Sequence, residues 1–380
     1  MRLPKILILI LLLSGVQLSA QTKKAGPRTK PPELREDTAV RLRGLADTVG
    51  FARTRDQMES IIQRIDQSQG PKLASLRKLY DVSNGDNWRL AIAPHDDYAY
   101  AGYMYPLVLK NVQSKTVIIF GVAHKAKKFK LENKLIFDHY THWRGPYGSI
   151  RVSPMRDAIL KELPADQFVV NDSIQEAEHS VEAELPFLQY YNRDVEIISI
   201  LVPPMPFSRM DELASSLAKA LARVFKKYDN VWGTDVSLLI STDAVHYGDE
   251  EWNGSDFAFY GTDSLAYKQA VAHEHQIIQE CLAGDVKPEK VKRFTQYTVD
   301  PNDYHTYKWT WCGRYSVPMG MITGWHLQNE IPGALPLQGM ALDYCTSIDH
   351  PLIQVDNLGM NVTAKAYLRH WVGYSVVVFR

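Results

Sequence analysis

"RLAIAPHDDYAYAG", residues 89–102, sets a short apolar run against a histidine, two acids and alternating tyrosines. "RLAIA" (89–93) is apolar on consecutive positions, which suits a strand buried on both faces. Three further runs read the same way: "TVIIFGVA" (116–123), "VEIISILV" (195–202) and "VSLLIST" (236–242). Between them lie helical patterns, "YPLVLKNV" (105–112), "SVEAELPFLQYY" (180–191) and "MDELASSLAKALARVFKKY" (210–228). Further helices are expected around 262–283 and 286–297, and "YLRHWVGYSVVVF" (367–379) reads as a late strand joining the sheet. Alternating strands and helices predict an α/β fold with a mostly parallel or mixed central sheet flanked by helices.

Upstream of these strands the pattern changes. Residues 1–20, "MRLPKILILILLLSGVQLSA", follow the basic, apolar, then small-and-polar order of a secretory signal peptide, so the mature chain is expected to be exported. The apolar run is too short to span a bilayer, so no stable membrane span is expected after cleavage. Residues 21–34 are basic and proline-bearing and read as a disordered leader. Residues 35–87 read as an N-terminal helical extension, with helical periodicity from about 37 to 80, and 88–380 as a single domain.

The 380 residues balance 43 Lys and Arg against 43 Asp and Glu, which gives no electrostatic footprint for nucleic acid. The three cysteines, Cys281, Cys312 and Cys345, are too few for a disulfide framework. In an oxidising compartment one pair, such as Cys281 and Cys345, could bridge and leave one over. No dinucleotide fingerprint, phosphate loop, HExxH helix or GxSxG elbow occurs.

Active sites of open α/β sheets lie beyond the carboxyl ends of the strands. The residues found there are His95 with Asp96 and Asp97 after the first run, His124 after the second, and Asp243 with His246 after the fourth. One such histidine alone would read as a hydrogen-bonded strand end. Three at one sheet edge point to a shared site, and neutral imidazole is the commonest ligand for zinc, copper, iron and nickel. Asp243 is then a ligand or an orienting partner. His179, in "EAEHSVEAELPF", reads either as a site residue or as part of a helix start capped by Ser180. Cys312, in "WTWCGRYSVPMG", reads equally as a buried structural thiol, a metal ligand or a nucleophile.

Taken in order, "PHDDYAYAG", "GVAH", "EHSVEAELPFLQ", "STDAVHYG" and "CGRYS" resemble the motif blocks of the Memo-like family, also called AmmeMemoRadiSam system protein B, over roughly residues 88–325. The resemblance implies a fold similar to the class III extradiol ring-cleaving dioxygenases, which are non-haem iron enzymes. It implies that His95, His124 and Cys312 are metal ligands, that Asp243 and His246 stand beside the metal, and that His246 takes the acid–base position. His179, Asp97 and Tyr98 are expected to line the pocket. The family pattern has glycine where Asp97 stands, serine at Ala101, Pro-Ser at Val122 and Ala123, a second histidine at Lys125, and histidine at Glu184.

The leading expectation is a metal-dependent redox enzyme carrying Fe2+, with copper admitted by the soft thiolate and zinc third. His246 is expected to move protons. Two other readings stand beside it: a zinc-dependent hydrolase using bound water, and a non-catalytic protein that binds metal or peptide in the same cleft. The substrate is expected to be a small molecule or a peptide.

Overall fold

The structure is a computed structural model and describes residues 39–380, so the expected signal peptide (1–20) and leader (21–34) lie outside the described residues. In chain order the strands are β1 (Leu42–Arg43), β2 (Leu90–Ala93), β3 (Thr116–Val122), β4 (Leu135–Phe137), β5 (His142–Gly145) and β6 (Gly148–Val152). They continue with β7 (Phe168–Val170), β8 (Glu196–Val202), β9 (Val236–Ser241), β10 (His246–Gly248), β11 (Gly284–Asp285), β12 (Gln338–Thr346) and β13 (His370–Phe379). All join one mixed sheet, whose main path runs β1-β5-β6-β8-β3-β9-β2-β13-β12-β11. Its centre, β8-β3-β9-β2, is parallel, and β13 closes against β2 in the antiparallel sense.

The consecutive apolar residues have the cause the sequence implied. Successive side chains of a strand point to opposite faces, and both faces here are covered. Leu90, Ile92, Ile118 and Phe120 pack with Leu213 and Leu217 of the helix Phe207–Tyr228 and with Met319 and Ile322 of the helix Ser316–Glu330. Ala91, Ala93, Val117 and Ile119 face the other way, against Met58 and Ile61 of the helix Arg55–Leu79 and Phe187 of the helix Leu185–Tyr191.

Of the expected helical extension at 35–87, the described part, 39–87, is not helical throughout. The helix begins at Arg55, where Thr54 and Gln57 form a capping box. Upstream, β1 pairs in parallel with β5, pinned by the buried Arg43 guanidinium on Glu182 and on the Gln175 and Glu178 carbonyls. The helix buries Met58, Ile61 and Ile65 in the same core as the sheet, so it belongs to the domain. The hairpin of β5 and β6 and the long β12 escaped the sequence reading, because their half-wet strands lack unbroken apolar runs. All three cysteines are free and buried, so the Cys281–Cys345 bridge is not formed. Among the described residues no helix is long and apolar enough to cross a membrane.

Gly320 lets the helix Ser316–Glu330 approach the sheet closely: a Cβ there would lie 2.4 Å from Ile240 Cγ1. In an open helix Gly→Ala stabilises by about 1 kcal/mol. Here overpacking wins, and Gly320→Ala is expected to lower stability by about 1–3 kcal/mol in urea unfolding. An unchanged or raised midpoint would contradict this packing.

Candidate functional site

β3, β9 and β2 are adjacent and parallel, with Ala93 in register with Ser241. Residues just past their carboxyl ends therefore emerge side by side. His95 follows β2, His124 follows β3, and Asp243 with His246 follows β9. Cys312 arrives from the segment before the helix Ser316–Glu330. Its Sγ lies 3.0 Å from His124 Nε2 and 3.3 Å from His95 Nε2.

Hydrogen bonds fix which nitrogen each ring turns to the thiol. His124 Nδ1 is 2.8 Å from Glu178 Oε1, a carboxylate oxygen that only accepts, so Nδ1 carries the hydrogen. The same glutamate accepts the backbone N–H groups of His124, His179 and Ser180. Burial pushes the Glu178 carboxyl up, and the His124 ring overrides it, holding the group below the usual carboxylate range. His95 Nδ1 is 3.0 Å from Ser241 Oγ, whose own hydrogen goes to the Ser180 carbonyl. Ser241 must then accept from His95 Nδ1–H. In both rings Nε2 is left to face Cys312. Burial raises the Cys312 pKa, but the two imidazoles prevail and hold the thiol well below its ordinary value.

Asp243 is bound to the same frame. Its Oδ1 accepts the His95 backbone N–H at 3.0 Å, and its Oδ2 lies 3.5 Å from His95 Nε2 and 3.9 Å from His246 Nε2. His246 Nε2 is buried without a hydrogen-bond partner. Burial lowers the His246 pKa, and Asp243 and Cys312 outweigh it and raise the value to about 10. A cavity of about 340 Å³ opens over the cluster, lined by His95, Asp97, His124, His179, His246 and Trp252 among others. That volume sits at the small end of ligand pockets.

Glu274 ties together the two segments that lead into Cys312 and His246. One carboxylate oxygen accepts the indole N–H groups of Trp309 and Trp311, both at 2.6 Å, and the other accepts the Val245 N–H at 3.1 Å. Trp311 and Val245 precede Cys312 and His246 directly. Gly313 allows the cysteine segment to press on the end of β9, since a Cβ there would sit 2.1 Å from Thr242 Oγ1.

With this geometry established, comparison with known proteins identifies the relatives. The model of the family described as Memo-like protein matches residues 51–356. The chain belongs to the Memo-like family. Its α/β sheet is of the class III extradiol dioxygenase type that this family shares. The MEMO1 family protein of Pyrobaculum arsenaticum is 30% identical over 206 residues, 51% of this chain and 66% of the relative. That of Saccharolobus solfataricus is 29% identical over 46% of this chain and 59% of the relative. That of Pyrococcus furiosus is 24% identical over 71% of this chain and 84% of the relative. The matched segments thus span somewhat under two thirds of the first two relatives.

Most residues named from the sequence of this Memo-like chain meet at one place: His95, His124, Cys312, Asp243, His246 and His179. His179 stacks on His124 with ring centroids 4.8 Å apart. Asp97 lines the cavity, as expected of it. Its Oδ2 accepts from the Thr363 N–H and hydroxyl, and burial first, then Asp96, pushes its pKa up to about 8. Tyr98 is not a pocket residue. Residues 98–101 form a helical turn that buries Tyr98 against Phe51, Tyr105 and Phe187, with its hydroxyl on the Ala183 carbonyl, while Tyr100 reaches the cavity. Glu184 lies buried beside the Ser241 hydroxyl, and burial above all keeps its pKa far above the ordinary range. Sequence reasoning missed Glu178, Ser241 and Glu274, and also Trp252 and His370, which pack together at 4.1 Å on the cavity wall.

The environment of Glu274 yields a stability prediction. Burial raises its carboxyl from 4.5 to about 7, against the Trp309, Trp311 and Val245 donors. The folded state therefore holds a proton that the unfolded state releases, and this contribution is full below pH 4.5 and lost as pH rises toward 7. Glu274→Gln, neutral throughout, lacks this loss, so the melting-temperature difference (variant minus wild type) is expected to shift in favour of the variant between pH 4.5 and 7. A difference independent of pH would contradict the assignment.

Proposed function

We propose that this chain is a metal-dependent redox enzyme that holds a single non-haem iron in the His95–His124–Cys312 pocket and acts on a small molecule. Copper is the alternative metal, and zinc ranks third. The carrying observation is the pair of imidazoles whose Nδ1–H groups are committed to Glu178 and Ser241 and whose Nε2 atoms face one thiol. Metal-binding histidines are oriented in this way by a partner on the other ring nitrogen. Iron bound by two imidazoles and a thiolate would supply electron transfer at positions left open to dioxygen or substrate.

The remaining residues have roles that follow from their atoms. His246 lines the cavity with its Nε2 3.9 Å from Asp243 Oδ2, so it is the group placed to pass a proton to a molecule bound there. Asp243 fixes the His95 backbone and stabilises the charged form of the His246 ring. His179 and Trp252 form walls that restrict the approach, and the 340 Å³ volume favours a small molecule over a peptide. Export, read from residues 1–20, belongs to the same proposal.

Protein purified without oxygen, in wild-type and variant forms, tests this reading by elemental analysis and iron titration. Wild type and His246→Gln are expected to retain this iron, and Cys312→Ser to lose it. Glu178→Gln is expected to bind iron about 10–100-fold more weakly while remaining folded. Equal iron in Cys312→Ser and wild type, or zinc alone in both, would contradict the proposal.

A further inference from the structure

A second donor set stands at the end of β12, sharing no residue with the first. The Cys345 thiol, a carboxylate oxygen of Asp349 and a ring nitrogen of His350 lie within 4.8 Å of one another. The His350 side chain is only 10% exposed, and its Nε2 is buried without a hydrogen-bond partner. Its Nδ1 is 3.1 Å from the Pro351 carbonyl, which only accepts, so Nδ1 carries the hydrogen and Nε2 keeps its lone pair. Asp349 uses Oδ2 to accept the Thr346 N–H at 2.8 Å, which sets the turn and leaves Oδ1 4.0 Å from His350 Nε2. Tyr103 packs edge-on against the His350 ring, with centroids 4.5 Å apart.

We infer that Cys345, Asp349 and His350 form a second metal site, for a borderline-soft divalent cation of the zinc class. One sulfur, one imidazole nitrogen and one carboxylate oxygen are the ligand types that such an ion takes, with a fourth position open to water. The charges fit. The nearby Lys72 ammonium is paired with Asp343 at 2.6 Å, so the Asp349 carboxylate and a Cys345 thiolate are left to balance two positive charges. Asp349, with 36% of its side chain exposed, gives the ion a way in from solvent. On binding, the cation displaces the Cys345 thiol proton to water, and no electron moves.

Anaerobic titration of the full chain with Co2+ tests this independently of the iron proposal, because Co2+ bound to thiolate gives a charge-transfer band in the near ultraviolet. The Cys312→Ser variant, which lacks the first thiol, is expected to bind one equivalent and still show the band. His350→Ala and Asp349→Asn, in that background, are expected to lose the equivalent and the band together. Asp349 is about a third exposed, so its variant guards against a folding defect. A Cys312→Ser protein without a thiolate band, or variants at 349 and 350 that bind as the background does, would overturn the second site. Loss of metal in the 349 and 350 variants with no effect of Cys312→Ser would uphold this site and count against the first.

Discussion

The Cys312 thiol stands between two imidazole nitrogens, at 3.0 and 3.3 Å, and most of the site's architecture serves to keep it there. Three groups from distant parts of the chain must arrive within one bond length's tolerance. Two are delivered by the sheet, because β2 and β3 flank β9 and end together. The third comes from a segment outside the sheet and needs its own anchor. Glu274 supplies it, gripping the tryptophans on either side of Thr310 and the backbone beside His246. A buried carboxyl with three donors is a costly way to join two loops unless their relative position matters.

Around that thiol the charges are arranged in layers. Glu178 and Asp243 are held as carboxylates by the histidines they face, whereas Glu184, without a cationic partner, is held neutral by burial. Acids at similar depth thus differ in charge because of what each one touches. The neutral Glu184 sits where the family pattern carries histidine, so this chain places no additional positive charge beneath the pocket.

The sheet was legible in the sequence because burial on both faces writes an unbroken apolar run, and the histidines because they stand directly after those runs. Cys312 was legible only through the order of family motifs, since no local feature separates it from a structural thiol. Glu178 lies in a stretch that also holds Glu176, Glu182 and Glu184, and only the fold selects which of them meets a histidine. Tyr98 and Tyr100 look equivalent in the sequence, but the helical turn that carries them sends one into the core and the other to the cavity. Residues 39–54 were misread as helix because weak periodicity cannot reveal that Arg43 is buried among carbonyls and an acid.

The central claim is that one thiolate and two imidazoles make a single metal centre. Iron-edge X-ray absorption of the iron-loaded His350→Ala protein, in which only the first pocket contributes, tests it most directly. The account predicts one sulfur scatterer together with the multiple-scattering pattern of two imidazoles. A shell of oxygen and nitrogen with no sulfur would contradict it.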